Sequence, residues 1–150
     1  MRSVQSRAAR RALDQRLGQL PPVAVFTPPT RGWIRAVRDA LGMSAADLAA
    51  RLNVTQASVS DIERSESKHR IRLDTLERAA AAMGCDLVYA LIPHGGSLGE
   101  IVGRQARAKV SDQLRAVSRA MDLEAQNTPV DDDVVGEEMR RLIDSGRLWK

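Results

Sequence analysis

The stretch from Ser44 to Glu63 constrains the fold of this 150-residue chain more than any other part of the sequence. Apolar residues recur in it at helical spacing, which predicts two short helices with a shared buried face. These residues are Leu48, Leu52, Val59 and Ile62, with the small Ala49 where the two helices would cross. Ser44 can cap the first helix, and Asn53 tolerates the left-handed conformation that a turn after it needs. The pattern therefore predicts two helices joined by a tight turn.

The second of these helices, at about residues 55–64, has an outer face suited to reading DNA. Thr55 can cap this helix, and small or short polar side chains follow it. Such a helix can enter a major groove and contact base edges. The predicted DNA-binding residues of this helix are Thr55, Gln56, Ala57, Ser58, Ser60 and Asp61. A helical hairpin with a merely polar outer face is the alternative that apolar spacing alone leaves open.

Three of these side chains have individual expected roles. The Gln56 amide can pair bidentately with adenine, and the Ala57 methyl group can contact a thymine methyl group. Asp61 repels phosphate, so it either accepts a hydrogen bond from cytosine or bonds to a neighbouring arginine. The face is therefore predicted to read bases rather than only to hold the backbone.

A basic segment follows the recognition helix. The composition of residues 64–72 predicts a loop, in which the expected DNA contacts are Lys68, Arg70 and Arg72. Cationic side chains suit phosphate oxygens, which position a protein on DNA without reading its sequence. A solvated charged loop is the alternative interpretation.

The joint pattern is similar to a known family of domains. The pattern consists of a small residue, a leucine, a turn residue, a valine and a Thr-Gln pair, followed by Val-x-x-Ile-Glu. On this pattern residues 31–92 resemble a Cro/repressor-type (Xre-type) helix-turn-helix domain. The flanks Gly-Trp-Ile-Arg at 32–35 and Asp-Leu-Val-Tyr-Ala-Leu-Ile-Pro at 86–93 resemble more particularly the small bacterial family called mobile mystery protein A. The resemblance implies a DNA-binding protein in which Arg31 and Arg35 lie near the DNA backbone.

Further helices and one strand are predicted around this pair. A helix from Gly32 to Leu41 would bury Trp33, Ile34, Val37 and Leu41 and leave Arg38 outside. Residues 85–92 are rich in Leu, Val, Tyr and Ile, which predicts a strand. Its backbone groups need a partner, either residues 23–27 of the same chain or a second copy across a two-fold axis.

The chain is expected to divide into three segments. Residues 1–30 would form a basic N-terminal helix and a proline-rich connector, and residues 31–93 the DNA-binding domain with its terminal strand. Residues 97–150 would form a helical extension for dimerisation or partner binding, with a long helix over 97–126, a break at 127–129 and a final helix. The predicted fold is thus mainly α: a five-helix-like Xre-type helix-turn-helix domain with a short β-strand and additional N- and C-terminal helices.

Composition narrows the classes of function. The net charge is only +4, so DNA binding requires local clustering of basic groups rather than total charge. Cys85 is the single cysteine, and the two histidines lack a metal-binding context, so neither a metal nor a cofactor is expected. No phosphate-binding glycine loop or Ser/His/Asp set predicts an enzyme. Without an apolar run of about 20 residues or a signal peptide, the sequence predicts a cytoplasmic protein with no membrane contact.

Two functions from different classes remain. The leading hypothesis is a homodimeric, sequence-specific regulator of transcription, with a repressor that controls its own gene as the expected form. The alternative is an antitoxin or adaptor that binds a partner protein through the helices after residue 97. The family resemblance implies a Fic-domain protein as that partner. No Ser or Thr here is followed four residues later by Glu and then Gly or Asn, so inhibition through the Fic-inhibiting motif is not expected.

Overall fold

The protein is described from a computed structural model that covers residues 2–122 and 131–150. Within these ranges the chain forms seven α-helices and one short 3-10 helix, which confirms the mainly helical class. The helices are α1 (Arg2–Leu17), α2 (Trp33–Ala40), α3 (Ala45–Leu52), α4 (Gln56–Ser67), α5 (Leu73–Ala82), α6 (Leu98–Asp122) and α7 (Asp132–Asp144), with the 3-10 helix at Val23–Phe26. The predicted end of the long helix at 126 and the break at 127–129 lie outside the described residues.

Residues 22–91 form one compact unit, called here the helix-turn-helix unit. In it α3 packs against α4 and α5, and α2 packs against the same two helices. The buried core consists of Ile34, Leu48, Ala49, Val59, Ala79 and Met83. Leu48 and Val59 are fully buried, as the helical spacing of the apolar residues predicts. The core therefore fixes which face of α4 is left for solvent.

The second unit contains residues from both ends of the chain, 2–21 and 92–150. Helices α1 and α7 pack against α6 and against each other around the buried residues Ala106, Val110 and Leu148. The Asp14 carboxylate on α1 accepts hydrogen bonds from the backbone N–H groups of Leu98 at 2.7 Å and Gly99 at 3.0 Å. An acidic cap satisfies two free donors at the positive end of α6. The predicted N-terminal and C-terminal segments thus share one unit.

A buried ion pair between Arg38 and Glu63 holds α2 to α4, and the prediction that Arg38 lies outside is wrong. Arg38 is buried rather than exposed, and its Nε donates to Glu63 Oε1 at 2.7 Å. The Arg38 Nη1 also donates to the carbonyl oxygen of Met43 at 2.8 Å. The hydrogen bond to Glu63 raises the pKa of Arg38 against the opposing effect of burial, so the guanidinium stays charged. Two residues predicted to be buried on the same helix, Trp33 and Leu41, are exposed.

A second carboxylate of α4 caps α2. Glu66 is buried and accepts hydrogen bonds from the backbone N–H groups of Trp33 at 2.7 Å and Ile34 at 2.9 Å. The loop predicted from residue 64 is therefore wrong over its first part, because α4 continues to Ser67 and carries Glu66 to this position. Gly32 precedes α2 with a φ of 87° and packs on the Glu66 carboxylate, where a Cβ would lie 2.6 Å from Oε2. Only glycine fits this close approach.

The prediction of a β-strand at residues 85–92 is wrong. In the described part of the chain residues 85–92 run without helix or ladder pairing, and no strand is formed. The intrachain partner predicted for them is not extended, since Val23–Phe26 curls into a 3-10 helix with a hydrogen bond from Val25 N to Pro22 O. Four prolines at positions 21, 22, 28 and 29 surround that turn, and proline supplies no donor to a ladder. A strand without a partner cannot satisfy its backbone.

The two ends of α2 provide a matched test of the Glu66 contact. Gly32→Ala combines a positive φ with a collision against Glu66, and we expect a loss of about 3 kcal/mol in the free energy of unfolding. Gly42→Ala, just after α2, meets a positive φ in open space and should lose about 1 kcal/mol. Urea unfolding followed by Trp33 fluorescence in a Trp149→Phe background measures both. Equal losses would contradict the assignment of Glu66 as the cap.

Candidate nucleic-acid interface

The helix pair α3–α4 is built by three local signals that the sequence carries. Ser44 Oγ accepts from Asp47 N at 3.1 Å, while the Asp47 carboxylate accepts from Ser44 N at 2.8 Å, which closes a capping box at the start of α3. Asn53 ends α3 in the left-handed conformation, with φ 54° and ψ 47°. Thr55 Oγ1 accepts from Ser58 N at 3.1 Å and caps α4. Caps and turn residue together set the entry angle of α4.

The N-terminal half of α4 presents the predicted base-reading face. Gln56 and Ala57 are exposed in its first turn, where a recognition helix meets base edges. Ser60 is exposed one turn further on, and its hydroxyl donates to the Gln56 carbonyl oxygen at 3.4 Å. The Thr55 and Ser58 hydroxyls lie 2.9 Å apart and bond to each other. These two residues therefore shape the start of the helix, whereas Gln56 and Ala57 have free outer surfaces.

Asp61 bonds to a neighbouring arginine, one of the two roles expected for it. Arg64 Nη1 donates to Asp61 Oδ1 at 3.0 Å, one helical turn along α4. Both side chains are exposed, and an exposed pair of this spacing contributes only about 0.3 to 0.5 kcal/mol. A nucleic acid can therefore displace Arg64 from Asp61 at little cost. Arg64 belongs to this face and was missed, because residues from 64 onward were assigned to a loop.

The basic residues after α4 are exposed beside its C-terminal end. Lys68 follows the helix directly, and His69 takes a φ of 55° that turns the chain toward Arg70. Among the described residues, the structure has no ion pair to Lys68 or Arg70. Arg72 differs, because its guanidinium bonds to both Asp74 oxygens at 3.1 Å and thereby lowers the pKa of that carboxyl group. Lys68 and Arg70 are thus freer to meet phosphate than Arg72.

A polar pocket of about 340 Å³ lies between α2 and α4 and adds further cations. Its lining includes Arg31, Arg35 and Arg64, together with Ser60 and the carboxylate of Glu63. Arg35 lies 3.6 Å from Asp39 and 3.8 Å from Glu63, and its Nε makes no hydrogen bond to the described residues. The structure thus brings the two arginines expected near the DNA backbone into one pocket with the recognition helix.

Two of the three acidic side chains of α4 are buried, whereas Asp61 is exposed and pairs with Arg64. The acidic side chains of Glu63 and Glu66 face inward, where Arg38 and the start of α2 neutralise them. The exposed cations that line the pocket or follow α4, called here the cationic rim, are Arg31, Arg64, Lys68, Arg70 and Arg72. Exposed cations beside a hydrogen-bonding face suit the binding of DNA phosphates.

The comparisons with known proteins agree with this geometry. Residues 34–89 match the family model described as Helix-turn-helix (HTH_3). This region of the chain is therefore an Xre-type helix-turn-helix domain, a class of DNA-binding domain. The searches against curated proteins and against solved structures gave no match. No helix in the described part of the chain is long and apolar enough to cross a membrane.

The capping box at α3 predicts a defined pH dependence of stability. Hydrogen bonds from the Ser44 hydroxyl and the Ser44 backbone hold the pKa of Asp47 below its ordinary value. The stabilisation is therefore complete above the unfolded pKa of about 3.9 and is lost as the pH falls through the folded value. Asp47→Asn should be less stable than the wild type near neutral pH and equal to it in strong acid.

Urea unfolding at a series of pH values between about 2 and 7 checks this expectation. Glu77→Gln on α5 removes another exposed carboxylate and is the control, because Glu77 makes no capping hydrogen bond to any residue that the structure describes. A difference between wild type and Asp47→Asn that did not change with pH would contradict the role of the ionised carboxylate.

Proposed function

We propose that this protein is a sequence-specific DNA-binding regulator that binds its operator as a homodimer and represses transcription, including that of its own gene. The observation that carries the proposal is the exposed start of α4, with Gln56 and Ala57 on its outer surface inside a rim of cations. A helix-turn-helix domain with this face supports binding in the major groove.

The residues of α4 would divide the work of recognition. Gln56 would pair with an adenine through its amide, and Ala57 would contact a thymine methyl group. Arg64, released from Asp61, would reach a guanine edge or a phosphate, and Asp61 could then accept from a cytosine amino group. Specificity would therefore depend on the first two turns of the helix.

The cationic rim would position the protein without reading sequence. Lys68 and Arg70 would contact phosphates on one side of the helix, and the pocket formed by Arg31, Arg35 and Arg64 would hold a phosphate on the other. Each such contact releases counterions, so affinity should fall steeply as salt concentration rises.

We also propose that the protein belongs to the mobile mystery protein A family and contacts a partner protein through its second unit. Large apolar side chains are exposed there, namely Val117 on α6, Val134 on α7 and Trp149 near the C-terminus. Such a partner, a Fic-domain protein by family resemblance, would make the protein an antitoxin or adaptor as well as a regulator. Co-purification with the product of the neighbouring gene tests this role, and retention after Trp149→Ala and Val117→Ala would contradict the surface named.

The regulator is tested with DNA from upstream of its own gene by fluorescence anisotropy over a salt series, with a scrambled duplex as reference. Gln56→Ala should lose about tenfold or more in affinity for the genuine site and little for the scrambled one. Lys68→Ala and Arg70→Ala should weaken binding to both duplexes and lower the salt slope by about 1 each.

Arg78→Ala on α5 is the charge-matched control, since α5 packs against α2 and α3 and the exposed Arg78 is outside the rim. It should change neither selectivity nor slope appreciably. Weak and equal binding to the two duplexes by the wild type would overturn the proposal.

A further inference from the structure

The end of the helix-turn-helix unit exposes apolar side chains on a stretch of chain whose backbone is not hydrogen-bonded. Val88 is 67% exposed, Tyr89 74% and Leu91 88%. Within the described residues, no hydrogen bond involves a backbone group of residues 86–92, although Cys85 N just before them bonds to Ala80 O at 2.9 Å. Exposed apolar side chains on a backbone without hydrogen-bond partners leave this stretch able to pair with a second strand.

An apolar groove of about 250 Å³ runs along the same stretch. Phe26, Trp33 and Val88 line it together, so side chains from before α2, from α2 and from the end of the unit form one continuous surface. Phe26 and Trp33 are themselves substantially exposed. One bound segment could therefore form hydrogen bonds with the backbone of residues 86–92 and pack its apolar side chains in the groove.

We infer that residues 86–92 pair with the same residues of a second copy of this chain, as a two-stranded antiparallel ribbon across a two-fold axis. The inference rests on the proposed function in one respect, because an operator with two half-sites calls for a dimer. It deepens that function by naming the surface that joins the two protomers.

The sequence of the stretch favours a copy of itself as the occupant. Asp86 is its only charged residue and lies at one end. Antiparallel pairing centred on Tyr89 sets each Asp86 opposite an Ile92, whereas parallel pairing would bring the two carboxylates side by side. The neighbour expected within the chain is not available for pairing, because Val23–Phe26 forms a 3-10 helix.

The groove and the DNA face use opposite sides of α2. Arg35 lines the polar pocket beside α4, while Val37, two residues on, lines the apolar groove beside α5. Two residues along a helix rotate the side chain by about 200°. A second protomer seated on the groove therefore leaves the cations and the recognition helix of the first free for DNA.

Proline substitutions distinguish a ribbon from a general apolar contact. In an antiparallel pair, alternate residues direct their N–H groups at the partner strand, so one proline removes a pairing donor and the next does not. Val88→Pro and Ala90→Pro should therefore behave alike, and Tyr89→Pro should behave oppositely. The disruptive class should raise the dimer dissociation constant by about tenfold or more, measured by sedimentation of the full chain.

Two further readouts keep the test independent of misfolding. None of the three prolines removes a hydrogen bond within the protomer, so circular dichroism should show unchanged helix content. In the wild type, amide hydrogen exchange above the dimer dissociation constant should protect every second N–H of residues 86–92. Fast exchange throughout that stretch in a dimer would overturn the pairing whatever the variants do.

The outcomes separate this inference from the proposed function. A chain that stays monomeric, or a dimer that all three prolines leave intact or weaken equally, overturns the ribbon. Selective DNA binding by that chain would still support sequence-specific recognition through α4, and a monomer would remove only the dimeric form of the regulator. A dimer with the alternating proline response that does not discriminate between duplexes supports the ribbon and refutes the regulator.

Discussion

The helix-turn-helix unit depends on the contacts that two carboxylates of α4 make with α2. Glu63 binds the buried Arg38, and Glu66 takes the two N–H groups at the start of α2. Burial of such charges is costly, and removal of one member of a buried pair costs about 3 to 5 kcal/mol because the other is left uncompensated. Apolar residues of similar volume could supply comparable stability. The carboxylates also fix the orientation of α2 relative to α4, because a bidentate guanidinium pair and a helix cap each require a defined geometry.

That orientation matters because α4 is both a wall of the core and the surface that would meet DNA. Its inner side carries Val59, Glu63 and Glu66 at helical spacing, and its outer side carries Gln56, Ala57 and Ser60. A rotation of α4 that exposed one acid would turn the reading face away and place a carboxylate against phosphate. The contacts that fix the helix therefore hold these two carboxylates away from the outer side of α4, where Asp61 is paired with Arg64.

Local signals in the sequence predicted the ends of α3 and α4 better than the contacts that hold α2 against α4. Ser44, Asn53 and Thr55 act within a few residues of themselves, and each has the capping or turn geometry expected of it. Arg38 was misplaced because an arginine on an amphipathic helix is ordinarily exposed, and its partner lies 25 residues away in the chain. Glu66 and Arg64 were missed for a related reason: the polar composition after residue 63 predicts a loop, whereas tertiary contacts of Glu66 extend the helix to Ser67.

The strand prediction is wrong for a different reason, which is that a strand needs a second backbone to pair with. Residues 85–92 have the β-branched and aromatic composition of a strand, but composition supplies only a preference, and a ladder needs a second backbone. Within the protomer the nearest candidate is short, flanked by prolines and curled. Exposure of these apolar side chains to water is unfavourable, and the second copy that we infer would remove it. Because the apolar groove and the polar pocket use opposite sides of α2, the second copy that we infer would leave α4 free, and the proposed dimer would present two such helices to DNA.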